Sequence, residues 1–149
     1  MNKIKNIWYI FGPLALGLIV SLIIKDHIDY EYLVQPKFAP PAYLFGIAWS
    51  ILYLLMGISF YLYKKNGEDN SVDKTYNTQL ILNLIWPIIF FNFKFRFIGT
   101  VEIIILDLVV IYMLYLFFKK YRTSFYLNIP YLLWLLFATY LSYSIYLLN

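Results

Sequence analysis

The chain has no cysteine and a single histidine, His27, in 149 residues. The first absence removes disulfides, thiolate nucleophiles, iron–sulfur clusters and zinc–cysteine centres together. The second leaves no means of building a multi-histidine metal site. Charge is scarce as well: Asp, Glu, Lys and Arg make up 13% of the residues against 62% hydrophobic. That is too little polar material to clothe a soluble domain of this length, so lipid is expected to replace water around much of it. No glycine-rich phosphate loop, nucleophile elbow, heptad array or fixed-period repeat is present. The net charge is +4, but no basic stripe alternates with stacking aromatics on a polar surface, which argues against nucleic acid as a partner.

What is present is a set of five tracts almost free of charge, 6–24, 38–63, 75–93, 97–118 and 123–149, interrupted only by Glu102 and Asp107. A helix rises 1.5 Å per residue, so about 20 residues cross a hydrocarbon core of about 30 Å. The expectation is an all-α membrane protein, a five-transmembrane-helix bundle forming one domain over 1–149. Its spans are placed near 6–24, 41–63, 75–93, 97–118 and 125–147. Lys3 and Lys5 precede the first tract as in a secretion signal, but that tract is longer than an h-region and no A-x-A site follows, so it reads as a retained helix. With odd-numbered helices running outward, Lys3, Lys5, Lys64, Lys65, Lys74, Lys119, Lys120 and Arg122 lie inside. Lys25, Lys37, Lys94 and Arg96 lie outside. The bias of eight to four favours an amino terminus inside, and the Lys, Ile, Asn and Tyr-rich composition hints at a bacterial cytoplasmic membrane.

The connections differ in kind. Residues 26–37 are polar and rich in tyrosine, and Pro36, Pro40 and Pro41 stiffen the entry to the second helix, where proline's missing amide costs little. This segment is expected to act as a long loop capping a pocket. The second connection, Lys64 to Lys74, has a turn-forming composition and carries no assigned chemistry. The third, Lys94 to Arg96, permits only a tight reversal, so the third and fourth helices should be antiparallel neighbours. Gly12 and Gly17, or Gly57 with Ser59, would let helices approach closely, without the spacing of a strong dimerisation motif.

Tryptophan normally sits at the headgroup level, as Trp8 does. Trp49, Trp86 and Trp134 lie deeper, where their indole donors need partners in the bundle or in a cavity. Trp49 and Tyr53 share a helix face, as do Asn83 and Trp86 with Phe90 a turn on, and Trp134 with Ala138. The arrangement fits either an aromatic pocket or plain interhelical packing. Asp107, at mid-tract, must face inward. It is either a cavity residue or, the favoured reading, a hydrogen-bonded acid tying its helix to Asn83, Gln79 or an indole. Glu102, nearer its helix end, reads as a solvated boundary residue. Pro87 should kink the third helix beside Asn83 and Trp86, which is one way to open a pocket.

The run Pro36-Lys37-Phe38-Ala39-Pro40-Pro41 with Phe45, Trp49, Leu52, Tyr53, Met56 and Gly57 resembles the TspO or translocator family, also called tryptophan-rich sensory proteins or peripheral benzodiazepine receptors. Two further blocks carry the same resemblance in order: Gln79, Asn83 and Trp86 with Phe90-Phe91, and Pro130-Tyr131, Trp134, Phe137-Ala138 and Leu141. The resemblance implies a five-helix membrane protein, often a homodimer, whose pocket under the first loop binds porphyrins and drug-like isoquinoline carboxamides. Carried over by position, the ligand-binding residues are Tyr30, Trp49, Tyr53, Asn83, Trp86, Trp134 and Ala138. The chain departs from the family at Asp29, Gln35, Phe38 and Ser142, and no basic residue follows Tyr143 or Tyr146, so cholesterol binding through that motif is not expected.

A porphyrin is a flat apolar disc with a carboxylate edge, so aromatic walls and positive charge at the mouth suit it, the latter from Lys25, His27 or Lys37 with Tyr30. No cofactor or metal is required; protoporphyrin is the expected ligand, and a metal-free porphyrin fits better than ligated haem because no axial ligand lies in the spans. The leading function is porphyrin binding, sensing or transport. The alternative is photo-oxidative porphyrin degradation with Trp49 and Trp134 as reactive indoles, and the second alternative is a structural assembly subunit.

Overall fold

The computed structural model describes residues 2–149, and among them no strand forms. The chain runs as α1 (Lys3–Ile24), α2 (Tyr43–Asn66), α3 (Asn70–Pro87), α4 (Arg96–Lys120), α5 (Arg122–Leu127) and α6 (Ile129–Leu148). A 3-10 turn at Tyr30–Tyr32 breaks the α1–α2 connection, and a π turn at Ile88–Asn92 extends α3. α5 and α6 are separated by Asn128 alone, so together they occupy the expected fifth span.

Four stretches are long and apolar enough to cross a membrane: α1, α2, α4, and α5 with α6 as Arg122–Leu148. α3 is not among them, in contrast to the five equivalent spans read from sequence. The reason is compositional, because its 18 residues include Asp73, Lys74, Gln79 and Asn83. It also starts five residues ahead of the tract 75–93. Asp69 supplies that start: its carboxylate accepts from the amides of Ser71 at 2.8 Å and Val72 at 3.3 Å, satisfying donors that the helix itself leaves open. Lys120 pairs with Asp69 from the end of α4, and that ammonium holds the Asp69 carboxyl below the usual carboxylate range.

The core lies between α2, α3, α4 and α6, with Met56, Val72, Val110, Met113, Phe117, Tyr131 and Leu135 wholly enclosed. α1 is mostly exposed on its outer side, as a lipid-facing helix should be, and joins the bundle through one close approach to α2. A side-chain carbon added at Gly57 would stand 2.0 Å from the carbonyl oxygen of Ile10, and one at Gly17 would stand 2.5 Å from the Tyr53 ring. Lipid tails are as apolar as leucine, so such small-residue contacts are what hold membrane helices together.

The connection over 25–42 is fastened at several places. Arg96 donates to Asp29 at 2.5 Å and to the Phe90 carbonyl at 2.8 Å. Tyr140 donates to the Lys37 carbonyl at 2.7 Å. The Asn149 amide bridges the amide and carbonyl of Val34, each at 3.0 Å.

Two intramembrane acids depart from expectation in detail. Asp107 is buried and faces α6, but its partner is Thr139, whose hydroxyl donates at 2.7 Å, rather than Asn83, Gln79 or an indole. The α4 face carrying Asp107 also carries Thr100, paired with Ser142 of α6 at 3.0 Å. Glu102 is not solvated by this chain: both of its oxygens are enclosed without a hydrogen-bond partner among the described residues. It lies six residues past Arg96, about 9 Å into the helix, too deep for a short acidic side chain to leave the neighbouring packing.

Gly57→Ala is expected to lower stability by about 1–3 kcal/mol, because backbone rather than a flexible side chain must yield. Gly46→Ala, where nothing lies within 4 Å, should be neutral or stabilising by up to about 1 kcal/mol. Thermal unfolding of the two variants in one detergent measures the difference.

Candidate functional site

A cavity of about 420 Å³ lies between α1, α2, α3, α6 and the α1–α2 connection, within the range of about 300–1,000 Å³ typical of small-molecule sites. Its walls are largely aromatic. Trp49 and Tyr53 face it from α2, Trp86 from α3, Phe90 and Phe91 from the π turn, and Phe45 from the first turn of α2. Trp86 stacks on Phe90 at 4.9 Å, and Trp49 lies 5.5 Å from Tyr53. Tyr30 and Ile28 cover it from the connection, and Leu14, Gly17 and Ser21 close it from α1.

The π turn is how α3 delivers its aromatics. Pro87 cannot donate a helical hydrogen bond, and the chain responds by widening the next turn, with the Phe93 amide reaching the Ile88 carbonyl at 3.0 Å. Wide turns of this kind free a carbonyl and rotate the residues that follow. Phe90 packs with Tyr30 and Ile145 in a second small core, while its carbonyl, left open where the turn ends, is taken by Arg96.

Beneath the aromatic walls runs a buried chain of hydrogen bonds. The Tyr53 hydroxyl donates to Asn83 Oδ1 at 2.5 Å, and Asn83 Nδ2 donates to the Tyr131 hydroxyl at 2.7 Å. Tyr131 donates in turn to Gln79 Oε1 at 2.8 Å, and Gln79 Nε2 lies 3.4 Å from Met56 Sδ. Each amide and hydroxyl is used by a neighbour, so the relay locks α2, α3 and α6 together and offers the cavity little unspent polarity. The Trp86 indole N–H is the contrast: it is enclosed and has no partner among the described residues. Over the opening, Tyr30 donates its hydroxyl to the Pro40 carbonyl at 2.7 Å and its carbonyl accepts from Gln35 at 2.9 Å. Burial pushes the Tyr30 phenol up from its ordinary value, so it remains a neutral donor.

The TspO/MBR family profile matches residues 9–148. The tryptophan-rich protein TspO of Archaeoglobus fulgidus is 40% identical over 153 aligned positions, covering 100% of this chain and 99% of that protein. The translocator protein homolog of Schizosaccharomyces pombe is 34% identical, over 97% of this chain and 93% of its own length. The human translocator protein is 31% identical, over 78% of this chain and 72% of its own. The chain belongs to the TspO/MBR family. That membership and the four apolar helices make it an integral membrane protein, with a lipid bilayer as its surroundings.

In this TspO/MBR chain the structure brings six of the seven expected ligand residues to one cavity: Tyr30, Trp49, Tyr53, Asn83, Trp86 and Ala138. Trp134 is not on the wall. Its ring meets Phe45 edge-on at 6.0 Å and Phe137 at 5.6 Å, and its indole N–H has no partner among the described residues. Sequence reasoning missed the part played by Tyr131. A signal existed, since Tyr131 and Ala138 lie seven residues apart on one helix face, and Gln79 and Asn83 share a face at i, i+4. The contribution of α1 had no such signal, because its apolar residues surround the helix on all sides.

Asn83→Leu would leave the Tyr53 and Tyr131 hydroxyls without their shared partner, and a cost of about 1–3 kcal/mol is expected. Thermal unfolding measures it, and Tyr53→Phe, which removes one donor and keeps the ring, should cost less.

Proposed function

We propose that the cavity receives a flat, mostly apolar ligand of the tetrapyrrole class, and that the protein senses or moves such ligands. The supporting observation is the cavity itself, walled by Trp49, Trp86, Phe45 and Phe90, with one unpaired indole donor and a hydrogen-bonded polar floor. Aromatic faces suit a conjugated disc. Lys25 and His27 are exposed beside Ile24 and Ile28 of the lining, where a carboxylate edge would find positive charge and water. A relative from Cereibacter sphaeroides is named a tryptophan-rich sensory protein, and others are named translocator proteins. Those names point to regulation or transport, the role we adopt.

In this reading α3 and its π turn form a fifth crossing beside the four more apolar ones. Its polar residues are affordable there because Gln79 and Asn83 are wholly engaged within the bundle. The connection over 25–42 serves as a lid, with its proline-rich end fixed and its centre held by Tyr30. The Lys and Arg bias favours an amino terminus inside and the lid outside, and the composition favours a bacterial cytoplasmic membrane. A homodimer is the expected assembly, and no cofactor is required.

Titration of the purified protein with protoporphyrin is expected to quench tryptophan fluorescence saturably. Trp86→Phe should weaken binding about tenfold, the ratio that a lost hydrogen bond to a ligand acceptor gives. No saturable quenching in the wild type would sink the reading. Illumination of the same samples tests the photo-oxidative alternative: a new absorbing product that disappears in Trp134→Phe would support it, although Trp134 packs against Phe45 and Phe137 rather than lining the cavity.

A further inference from the structure

A second cavity, of about 230 Å³, lies at the opposite end of α1, α2 and α3. It is separate from the aromatic chamber: one lies beside the α1–α2 connection, the other beside the α2–α3 connection. Its polar groups and its apolar groups are sorted by depth. At the rim, Lys64 in the last turn of α2 donates to Asp73 Oδ2 of α3 at 2.7 Å, and both side chains are mostly covered, 12% and 28% exposed. One turn deeper along α3, about 4.5 Å, Tyr76 lines the same space. Another turn in, Leu16 of α1 and Leu80 of α3 complete the lining.

Two oxygens here are unspent. Tyr76 is 3% exposed, its ring stacks on Phe60 at 4.0 Å, and its hydroxyl has no partner among the described residues. Asp73 Oδ1 is enclosed and equally without one. A buried hydroxyl and a half-used carboxylate each cost free energy unless something from outside completes them. Lys64 retains further N–H donors beyond the one given to Asp73. Lys64 also lies 3.8 Å from Oε1 of the exposed Glu68, so the rim offers acceptors for a cation, donors for an anion, and one acid more than base. Trp8, exposed on α1 and also part of the lining, marks the depth as that of the headgroups.

We propose that this cavity is a binding site for a phospholipid whose headgroup joins a primary ammonium to its phosphate. The ammonium donates to Asp73 Oδ1, and the phosphate accepts from Lys64. The Tyr76 hydroxyl, one turn below, donates to a glycerol-ester carbonyl, and the first acyl carbons meet Leu16 and Leu80. A headgroup that brings its own cation suits a rim of two acids and one base. An anionic headgroup would bring an uncompensated charge beside Asp73, and a trimethylated ammonium has no N–H to give it.

The test is native mass spectrometry of the full-length protein, delipidated and then offered phosphatidylethanolamine, phosphatidylcholine or phosphatidylglycerol in equal amounts. One phosphatidylethanolamine per protomer should be retained, about tenfold better than phosphatidylcholine, the ratio for one charged hydrogen bond. Asp73→Asn should bring that preference close to unity. Tyr76→Phe, which keeps the ring stack, should weaken retention of all three lipids alike. Soluble phosphoethanolamine should compete only weakly, since it lacks the ester and acyl contacts. Equal retention of the three lipids by the wild type would overturn the proposal, as would a preference unchanged in Asp73→Asn. So would competition by soluble phosphoethanolamine as strong as by the lipid, or a lipid-free dimer in which Trp8 and Asn77 cross-link to a second copy. Protoporphyrin titration of Asp73→Asn, expected to be unchanged, keeps this result separate from the tetrapyrrole reading.

Discussion

The fold depends on the free energy that polar groups inside a lipid-surrounded bundle recover by pairing with one another within the protein. The relay from Tyr53 through Asn83 and Tyr131 to Gln79 is the central case. It draws one residue from α2, two from α3 and one from α6 to a single place, and it explains how the most polar long helix can stand inside the bundle. It also fixes the floor of the chamber. With the amides and hydroxyls occupied by one another, the space above them is left to aromatic faces and to the indole of Trp86.

The same rule accounts for the second knot of polar groups. Ser59, Ser124 and Asn128 are all wholly enclosed. Ser124 donates to the Ser59 carbonyl at 2.6 Å, and Asn128 donates to the Ser59 hydroxyl at 2.8 Å and to the Ser124 carbonyl at 2.9 Å. Asn128 is also where α5 gives way to α6, so the break in the last rod is stitched to α2. Two polar clusters, one beneath the chamber and one beside the break, set the register of α2 against its neighbours, while apolar packing alone would leave those helices free to slide.

Much of this architecture was legible in the residues. The charge-free tracts gave the long helices, and the spacing of Trp49 with Tyr53 and of Asn83 with Trp86 marked faces that do meet. What was not legible has physical causes. Hydropathy alone made α3 equivalent to the other tracts, although Asp69 starts it early and its polar residues make it less apolar than they are. Depth alone points Trp134 at the chamber, whereas its ring packs against Phe45, a residue on another helix, and against Phe137. Distance from the helix end points Glu102 to water, but neighbouring packing encloses its carboxylate, and coverage by neighbours has no local signature in sequence. Thr139 as the partner of Asp107 was hidden for the same reason: a hydroxyl four residues from a carbonyl on its own helix ordinarily bonds back to it, as Thr139 also does to Leu135 at 2.9 Å.

The irregular turn after Pro87 has one more effect. By withdrawing an amide, proline widens the backbone and swings Phe90 and Phe91 toward the interior. The Phe90 carbonyl, left open where the turn ends, is the one Arg96 grips while its other nitrogen holds Asp29. Girth of the chamber and fastening of its roof therefore meet at a single turn. A helix straightened at this point would grow narrower inside and unbuckle above in the same movement.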